Sequence, residues 1–329
     1  MGDLGLTQPL KFQPIFMERI WGGRRIETLF GKRLPPGVRI GESWEIVDRR
    51  EAQSVVADGP AQGKTLHKLW TGHRREVFGT MAASKRFPLL IKLLDAQEKL
   101  SVQVHPPTGA AEELGGEAKT EFWYVADAAP ASELYVGLTR ACSRDQFAAR
   151  IAAGTIEEVL HRIPVTAGDA MFLPSGRLHA IGAGNVIVEV QENSDTTYRV
   201  FDWNRGGSGR TKRELQIDAA LRCIDFEDAK PALIQPDGEI FVDEAPFRVE
   251  RWELGRERVA SSDARFAIFC CLSGEVECGG VPLMPGEFFL LPASLHDLKI
   301  IPRSDQAHLL RITSGRRRVT RGGAQRALV

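Results

Sequence analysis

Among 329 residues there is no Cys-x-x-Cys pair. The five cysteines, Cys142, Cys223, Cys270, Cys271 and Cys278, are an odd and scattered set, which argues against both a disulfide framework and a thiolate zinc site. Cys270 and Cys271 fall in the apolar run FAIFCCLSG and read as small buried hydrophobes. Net charge is missing too: 43 basic residues balance 43 acidic ones, so no global field draws the chain to nucleic acid or to an anionic membrane. No stretch approaches the roughly 18 apolar residues of a membrane span. The leading MGDLGLTQPLKFQPIF has no basic segment running into an apolar one, so a cytoplasmic protein is the expectation. Phosphate loops of the P-loop or dinucleotide type are also lacking. One segment is biased: SGRRRVTRGGAQRA, residues 314–327, sets five arginines among small residues and reads as a frayed basic tail rather than a nucleic-acid arm.

What the chain does contain is a long series of short apolar runs divided by Gly, Pro and Asp, the punctuation of a β-rich fold. SWEIVD, FPLLIKLLDA, EFWYVADA, ELYVGL, DAMFLP, VIVEVQ, FRVERWEL, FAIFCCL, GEFFLLP and LLRITS are the expected strands. Helical periodicity is confined to residues 64–79, a short piece around 109–114, residues 143–163 behind a Ser143 cap, and residues 213–225. GDAMFLPSGRLHAIG (168–182) and GEFFLLPASLHDLKI (286–300) share a pattern of Gly, acid, four apolar residues, Pro, a small-residue turn, Leu and His. Such an echo predicts two similar β-barrels or sandwiches, joined near LIQPDGEIF (233–241).

The first half carries candidates for a metal site. In LSVQVHPP (100–107) an extended backbone would point Gln103 and His105 to one side and Val102 and Val104 to the other. With Glu121 and His179 they offer two imidazoles, an amide and a carboxylate, donors that suit a divalent ion. By themselves these residue types leave ordinary polar side chains as an equal alternative. The matching histidine of the second half, His296, has neither a Gln-x-His pair nor a glutamate in support, so that half is expected to be metal-free. No role follows for His67, His73, His161 or His308. Trp21, Trp44 and Trp123 are expected to pack in the core or frame a pocket.

Gly168, Pro174, Gly176, His179 and Asn185 are spaced as in the second cupin motif, and Gln103, His105 and Glu121 as in the first. Within the cupins the chain resembles the type I mannose-6-phosphate isomerases in their shorter bacterial form. The resemblance runs through RIWGG (19–23), IGESWEI (40–46), FPLLIKLLDAQEKLSVQVHPP (87–107), KTEFWYV (119–125), PSGRLHAIG (174–182) and VIVEVQENSDTTYRVFDWNR (186–205), strong from about residue 12 to residue 220. One departure is EAKTE, with Ala118 where the family usually has glycine.

The resemblance implies a mainly β fold of two cupin-type jelly-roll domains: a metal-binding one over 1–232, with a helical insertion at about 139–166, and a metal-free one over 233–329 ending in the basic tail. It implies one divalent ion per chain, Zn2+, on Gln103, His105, Glu121 and His179. The activity implied is aldose–ketose isomerisation between mannose 6-phosphate and fructose 6-phosphate through an enediolate. Arg199, Lys119 and Glu189 would be catalytic, and Ser101, Lys119 and Asp195 would bind substrate. Taken alone, Arg199 reads more readily as a surface partner of Asp202 than as a catalytic group, and Glu189, between Val188 and Val190, could face water. A sugar-binding or regulatory cupin without turnover is the alternative; an iron-dependent oxygenase would present more histidines and no Gln103 or Lys119. The expected partner is a small sugar phosphate, with no nucleic acid or membrane, and the chain a monomer or dimer.

Overall fold

The computed structural model describes residues 3–82, 84–205, 213–261 and 263–315. The first half contributes β1 (Ile15–Gly23), β2 (Ile40–Ile46), β3 (Leu89–Ala96), β4 (Val102–Val104), β5 (Glu121–Ala128), β6 (Glu133–Leu138), β7 (Leu160–Pro164), β8 (Ala170–Leu173), β9 (His179–Ile181), β10 (Asn185–Glu192) and β11 (Tyr198–Phe201). They form a six-stranded sheet ordered β1-β2-β3-β10-β5-β8 and a five-stranded sheet ordered β11-β4-β9-β6-β7. The second half adds β12 (Ile240–Glu244), β13 (Phe247–Leu254), β14 (Arg258–Val259), β15 (Ala267–Ser273), β16 (Val276–Cys278), β17 (Val281–Leu283), β18 (Phe288–Leu291), β19 (Lys299–Pro302) and β20 (Ala307–Ser314). These make sheets ordered β12-β13-β20-β15-β18 and β14-β19-β16-β17. The mainly β, two-jelly-roll expectation holds.

Why FPLLIKLLDA and VIVEVQ are nearly continuous apolar runs follows from how the layers stack. On β3, Leu94 and Ala96 join the interior of the first jelly roll with Trp123, Val136 and Ile181. The alternate residues Leu89, Ile91 and Leu93 face the other way, into a core shared with Phe247, Val249, Ile268, Leu290 and Ile312 of the second half. The six-stranded sheet is therefore covered on both faces, and all eight residues of β3 are buried. Aromatic rings carry the junction: Phe266 stacks edge-on against Phe87 at 5.5 Å and Phe78 at 5.9 Å. The interior of the second jelly roll is filled by Trp252, Phe269, Phe289 and aliphatic neighbours. Cys270 and Cys271 are buried as expected, and burial pushes the Cys271 thiol up to about 12.

The helices are shorter than their periodicity predicts. Residues 64–79 divide at His73 into α2 and α3: after α1 (Arg25–Phe30), which the sequence does not signal, come α2 (Leu66–Gly72), capped by Thr65, and α3 (Arg74–Phe78). The piece near 109–114 is α4 (Thr108–Leu114). Ser143 caps α5 (Arg144–Ala153) in a capping box with Gln146, but the helix stops at Gly154, whose φ of 68° ends it. Its expected continuation to residue 163 is a 3₁₀ turn followed by β7, an edge strand whose Arg162 pairs with Glu133. The last helix is α6 (Ile217–Cys223). Of these, α4, α5 and α6 cover the outer face of the five-stranded sheet, where Phe147, Ala220 and Leu221 pack on Val102, Val104 and Val200, whereas α1, α2 and α3 pack into the core shared with the second half. Among the described residues no helix is long and apolar enough to cross a membrane. The basic tail lies, from Arg316 onward, outside the described residues.

Candidate metal centre and active site

Strand register decides which polar residues meet. Paired residues on neighbouring antiparallel strands point to the same face. Across the six-stranded sheet, Trp44, Lys92, Glu189 and Trp123 are successive partners, and two residues along, on the same face, Glu121 pairs with Gln191. Val186, Val188 and Val190 belong to the shared core, so Glu189 points into the jelly roll and not to solvent. Across the five-stranded sheet, Arg199 pairs with Gln103 and Gln103 with His179. The two polar rows face each other across the interior.

His105, Glu121 and His179 meet at its base, 2%, 1% and 2% exposed. His105 Nε2 lies 3.2 Å from Glu121 Oε1, and His179 Nε2 lies 3.6 Å from Glu121 Oε2. Each ring turns its Nδ1 to a backbone carbonyl, His105 to Thr196 at 2.8 Å and His179 to Arg177 at 2.9 Å. Donation from Nδ1–H fixes the tautomer and leaves an Nε2 lone pair aimed at the carboxylate. Lys119 Nζ approaches Glu121 Oε1 to 2.7 Å, yet His105 Nε2 and both Glu121 oxygens lack a partner with hydrogen-bond geometry although fully buried. Such orphaned donors fit a cation: a tetrahedral ion with bonds of about 2.0–2.2 Å separates its ligand atoms by about 3.3–3.6 Å. These three residues form a group whose ligand atoms all lie within 4.8 Å of one another.

Gln103 completes the ring, its Nε2 3.4 Å from His179 Nε2 and its Oε1 3.3 Å from Ser101 Oγ. Turning the amide over would exchange oxygen for nitrogen at the imidazole. Burial, reinforced by the adjacent His105, pushes His179 down to about 3. Burial and then the Lys119 ammonium also lower His105. For Glu121 burial opposes ionisation, but Lys119 and the two imidazoles prevail and hold it well below the usual carboxylate range. Neutral imidazoles beside an ionised carboxylate are the protonation states a divalent ion requires.

Above the triad opens a cavity of about 310 Å³ lined by Ser101, Gln103, Lys119, His179, Glu189, Asp195 and Arg199. The residues expected to bind metal, bind substrate or act in catalysis thus converge on one place. Arg199 has a buried Nε without a partner; burial, then repulsion from Arg213, lowers its pKa. Asp202 pairs instead with Arg205 and Arg213. Glu189 Oε1 accepts from Trp123 Nε1 at 2.9 Å, and its Oε2 lies 3.1 Å from Lys92 Nζ. Four further charged residues line the wall, Arg19, Glu42, Lys92 and Arg213; the first three lie within the stretches that carry the family resemblance, but no role for them follows from the sequence. In the second half Gly286 makes the same turn as Gly168, with φ of 75° and 100°. His296, however, follows a 3₁₀ turn and sits at the surface beside Asp297.

Comparison with known proteins agrees with this geometry. Residues 10–147 match the family described as phosphomannose isomerase type I, catalytic domain. The chain is 35% identical over 307 residues to the mannose-6-phosphate isomerase ManA of Bacillus subtilis, covering 89% of this chain and 96% of that one. It is 36% identical over 313 residues to a mannose-6-phosphate isomerase of Streptococcus mutans, covering 90% and 98%. The crystal structure of the mannose 6-phosphate isomerase from Bacillus subtilis superposes with a TM-score of 0.82 at 35% identity, covering 93% of this chain and 99% of the other.

Proposed function

The chain belongs to the type I phosphomannose isomerase family, and from that premise we propose that it interconverts mannose 6-phosphate and fructose 6-phosphate. In this reading His105, Glu121, His179 and Gln103 hold one divalent ion, zinc, which when bound supplies Lewis-acid stabilisation of negative charge on the sugar oxygens. The observation that carries the proposal is the set of orphaned buried atoms, His105 Nε2 and the Glu121 oxygens, at the base of a cavity that also presents Lys119, Glu189 and Arg199. A sugar-binding cupin without turnover would need no such set.

The reaction removes a proton from C2, passes through an enediolate and returns a proton to C1. Glu189, steadied by Trp123, takes the C2 proton and redelivers it to C1. Arg199, permanently cationic and with Nε free, bonds the two oxygens over which the enediolate charge spreads. Lys119 shuttles the hydroxyl proton or meets phosphate. Ser101 and Asp195 bind the sugar phosphate at the cavity wall. The protein acts in the cytoplasm on a small diffusible substrate, with a domain boundary near residues 232–233.

A coupled assay for fructose 6-phosphate, starting from mannose 6-phosphate with metal-stripped and metal-restored protein, tests the proposal. Turnover that disappears on stripping and returns with the ion is expected. Full turnover without metal, or none with it, overturns the reading.

A further inference from the structure

The cavity wall holds charges the isomerisation as described does not use. Lys92 stands at the middle of β3, its side chain 5% exposed, with Nζ 3.1 Å from Glu189 Oε2 and 3.8 Å from Glu42 Oε2. The same ammonium lies 5.3 Å from the centre of the Trp44 ring. Glu42 is itself pinned from the far side. Arg19 Nε and Nη2 donate to its two oxygens at 2.8 and 3.3 Å, and Trp44 Nε1 donates to Oε2 at 2.6 Å. Read along the wall, the charges alternate: Arg19, Glu42, Lys92, Glu189.

Burying such a row does little for stability. Well-packed apolar residues of similar volume often serve as well or better, whereas removal of one member leaves its neighbours uncompensated. The row is nevertheless suited to holding one carboxylate in place. Glu189 is gripped at both oxygens, by Trp123 Nε1 and by Lys92, and Glu42 attracts Lys92 from the other side across 3.8 Å. Register puts Glu42, Lys92 and Glu189 within one same-face pair of each other across β2, β3 and β10, so the grip is built on the sheet and not on loops.

We propose that Lys92 positions the Glu189 carboxylate for proton transfer, and that Glu42, braced by Arg19 and Trp44, positions Lys92 in turn. This rests on the isomerase reading. Lys92 and Glu42 are positioning residues that act through Glu189; the proton itself never resides on them.

Steady-state kinetics on the full metal-loaded chain with mannose 6-phosphate tests the inference, using Lys92→Met, Lys92→Arg, Glu42→Gln and the double variant Lys92→Met/Glu42→Gln. Lys92→Met should lower kcat about 100-fold and Glu42→Gln about 10-fold, each with KM within about threefold and metal content unchanged. Lys92→Arg should recover part of the loss. In the double variant Glu42→Gln should add almost nothing to Lys92→Met, because the glutamate acts through the lysine. Fully multiplicative losses, or a kcat per folded, metal-loaded chain that stays at the wild-type level, overturn the inference. If Lys92→Met does not fold, Glu42→Gln decides alone: lower kcat at constant KM supports the inference, and unchanged kcat overturns it. Wild-type protein without turnover overturns the isomerase reading and takes the inference with it, whereas an active wild type with active variants overturns the inference only.

Discussion

Replacing Lys119 with methionine should destabilise the metal-free protein far more than the metal-loaded one. Its ammonium sits 2.7 Å from Glu121 Oε1, with the two side chains 5% and 1% exposed. The adjacent imidazoles also favour the ionised carboxylate, but after the ammonium, and burial favours their neutral forms. Without an ion, Lys119→Met leaves Glu121 as a buried, uncompensated carboxylate, a loss of about 3–5 kcal/mol. A divalent cation among the ligands replaces the missing charge, and the loss should then fall to about 1 kcal/mol, that of one hydrogen-bonding contact. At about 2 °C per kcal/mol, the low end suited to a chain of this length, the thermal midpoint should drop by about 6–10 °C in stripped protein and about 2 °C in loaded protein. By linkage the variant should bind the ion more tightly than the wild type, even though its turnover is impaired. Thermal melts of both proteins, stripped and loaded, measure the four midpoints. Equal losses in the two forms would refute the reasoning, since they would uncouple Lys119 from the metal site.

Arg199→Lys should reduce kcat by at least about 10-fold while metal content stays near one ion per chain, because an ammonium cannot bond two oxygens as a planar fork does; equal losses of metal and turnover would give Arg199 a structural role. Glu42 is held down to about 2 from 4.5: burial opposes, but Lys92 and Arg19 prevail. Its folded value lies below the unfolded one, so its contribution of about 3 kcal/mol is complete above pH 4.5 and is lost as pH falls towards 2. Melts of Glu42→Gln against pH should therefore lack that share of the acid-side decline, and a slope equal to wild type would contradict the assignment. Phe266→Ala should cost about 3–5 kcal/mol and lower a single transition for both halves, since the ring packs on Phe78 and Phe87 across the junction. Two separate transitions, with the first half unmoved, would disprove the shared core.

Much of this was legible from local pattern. The apolar runs mark their strands correctly, and the Gly-acid-apolar-Pro echo does report two related turns, with Gly168 and Gly286 both at positive φ. The candidate ligand set needed the spacing of two motifs read together, because His105 follows β4 while Glu121 and His179 open β5 and β9, and only tertiary pairing brings them close. Facing was harder. Glu189 between valines could have pointed either way until the second half was seen to cover the valine side. Lys92 and Glu42 were missed for a related reason: a charge in an apolar strand gives no hint of its cross-strand neighbour, and register is a property of the sheet. The helical period that ran on through residues 156–163 failed at Gly154, where a C-terminal turn hands the chain to an edge strand with few constraints on its pattern.

The central claim is that one cation joins two imidazoles, a carboxylate and an amide inside the first jelly roll. Crystals of zinc-loaded protein, with data collected on both sides of the zinc absorption edge, test it most directly. One anomalous peak per chain is predicted, about 2.0–2.2 Å from His105 Nε2, His179 Nε2, a Glu121 oxygen and the Gln103 amide oxygen. A peak bound elsewhere, or none at these residues in protein that isomerises mannose 6-phosphate, would contradict it.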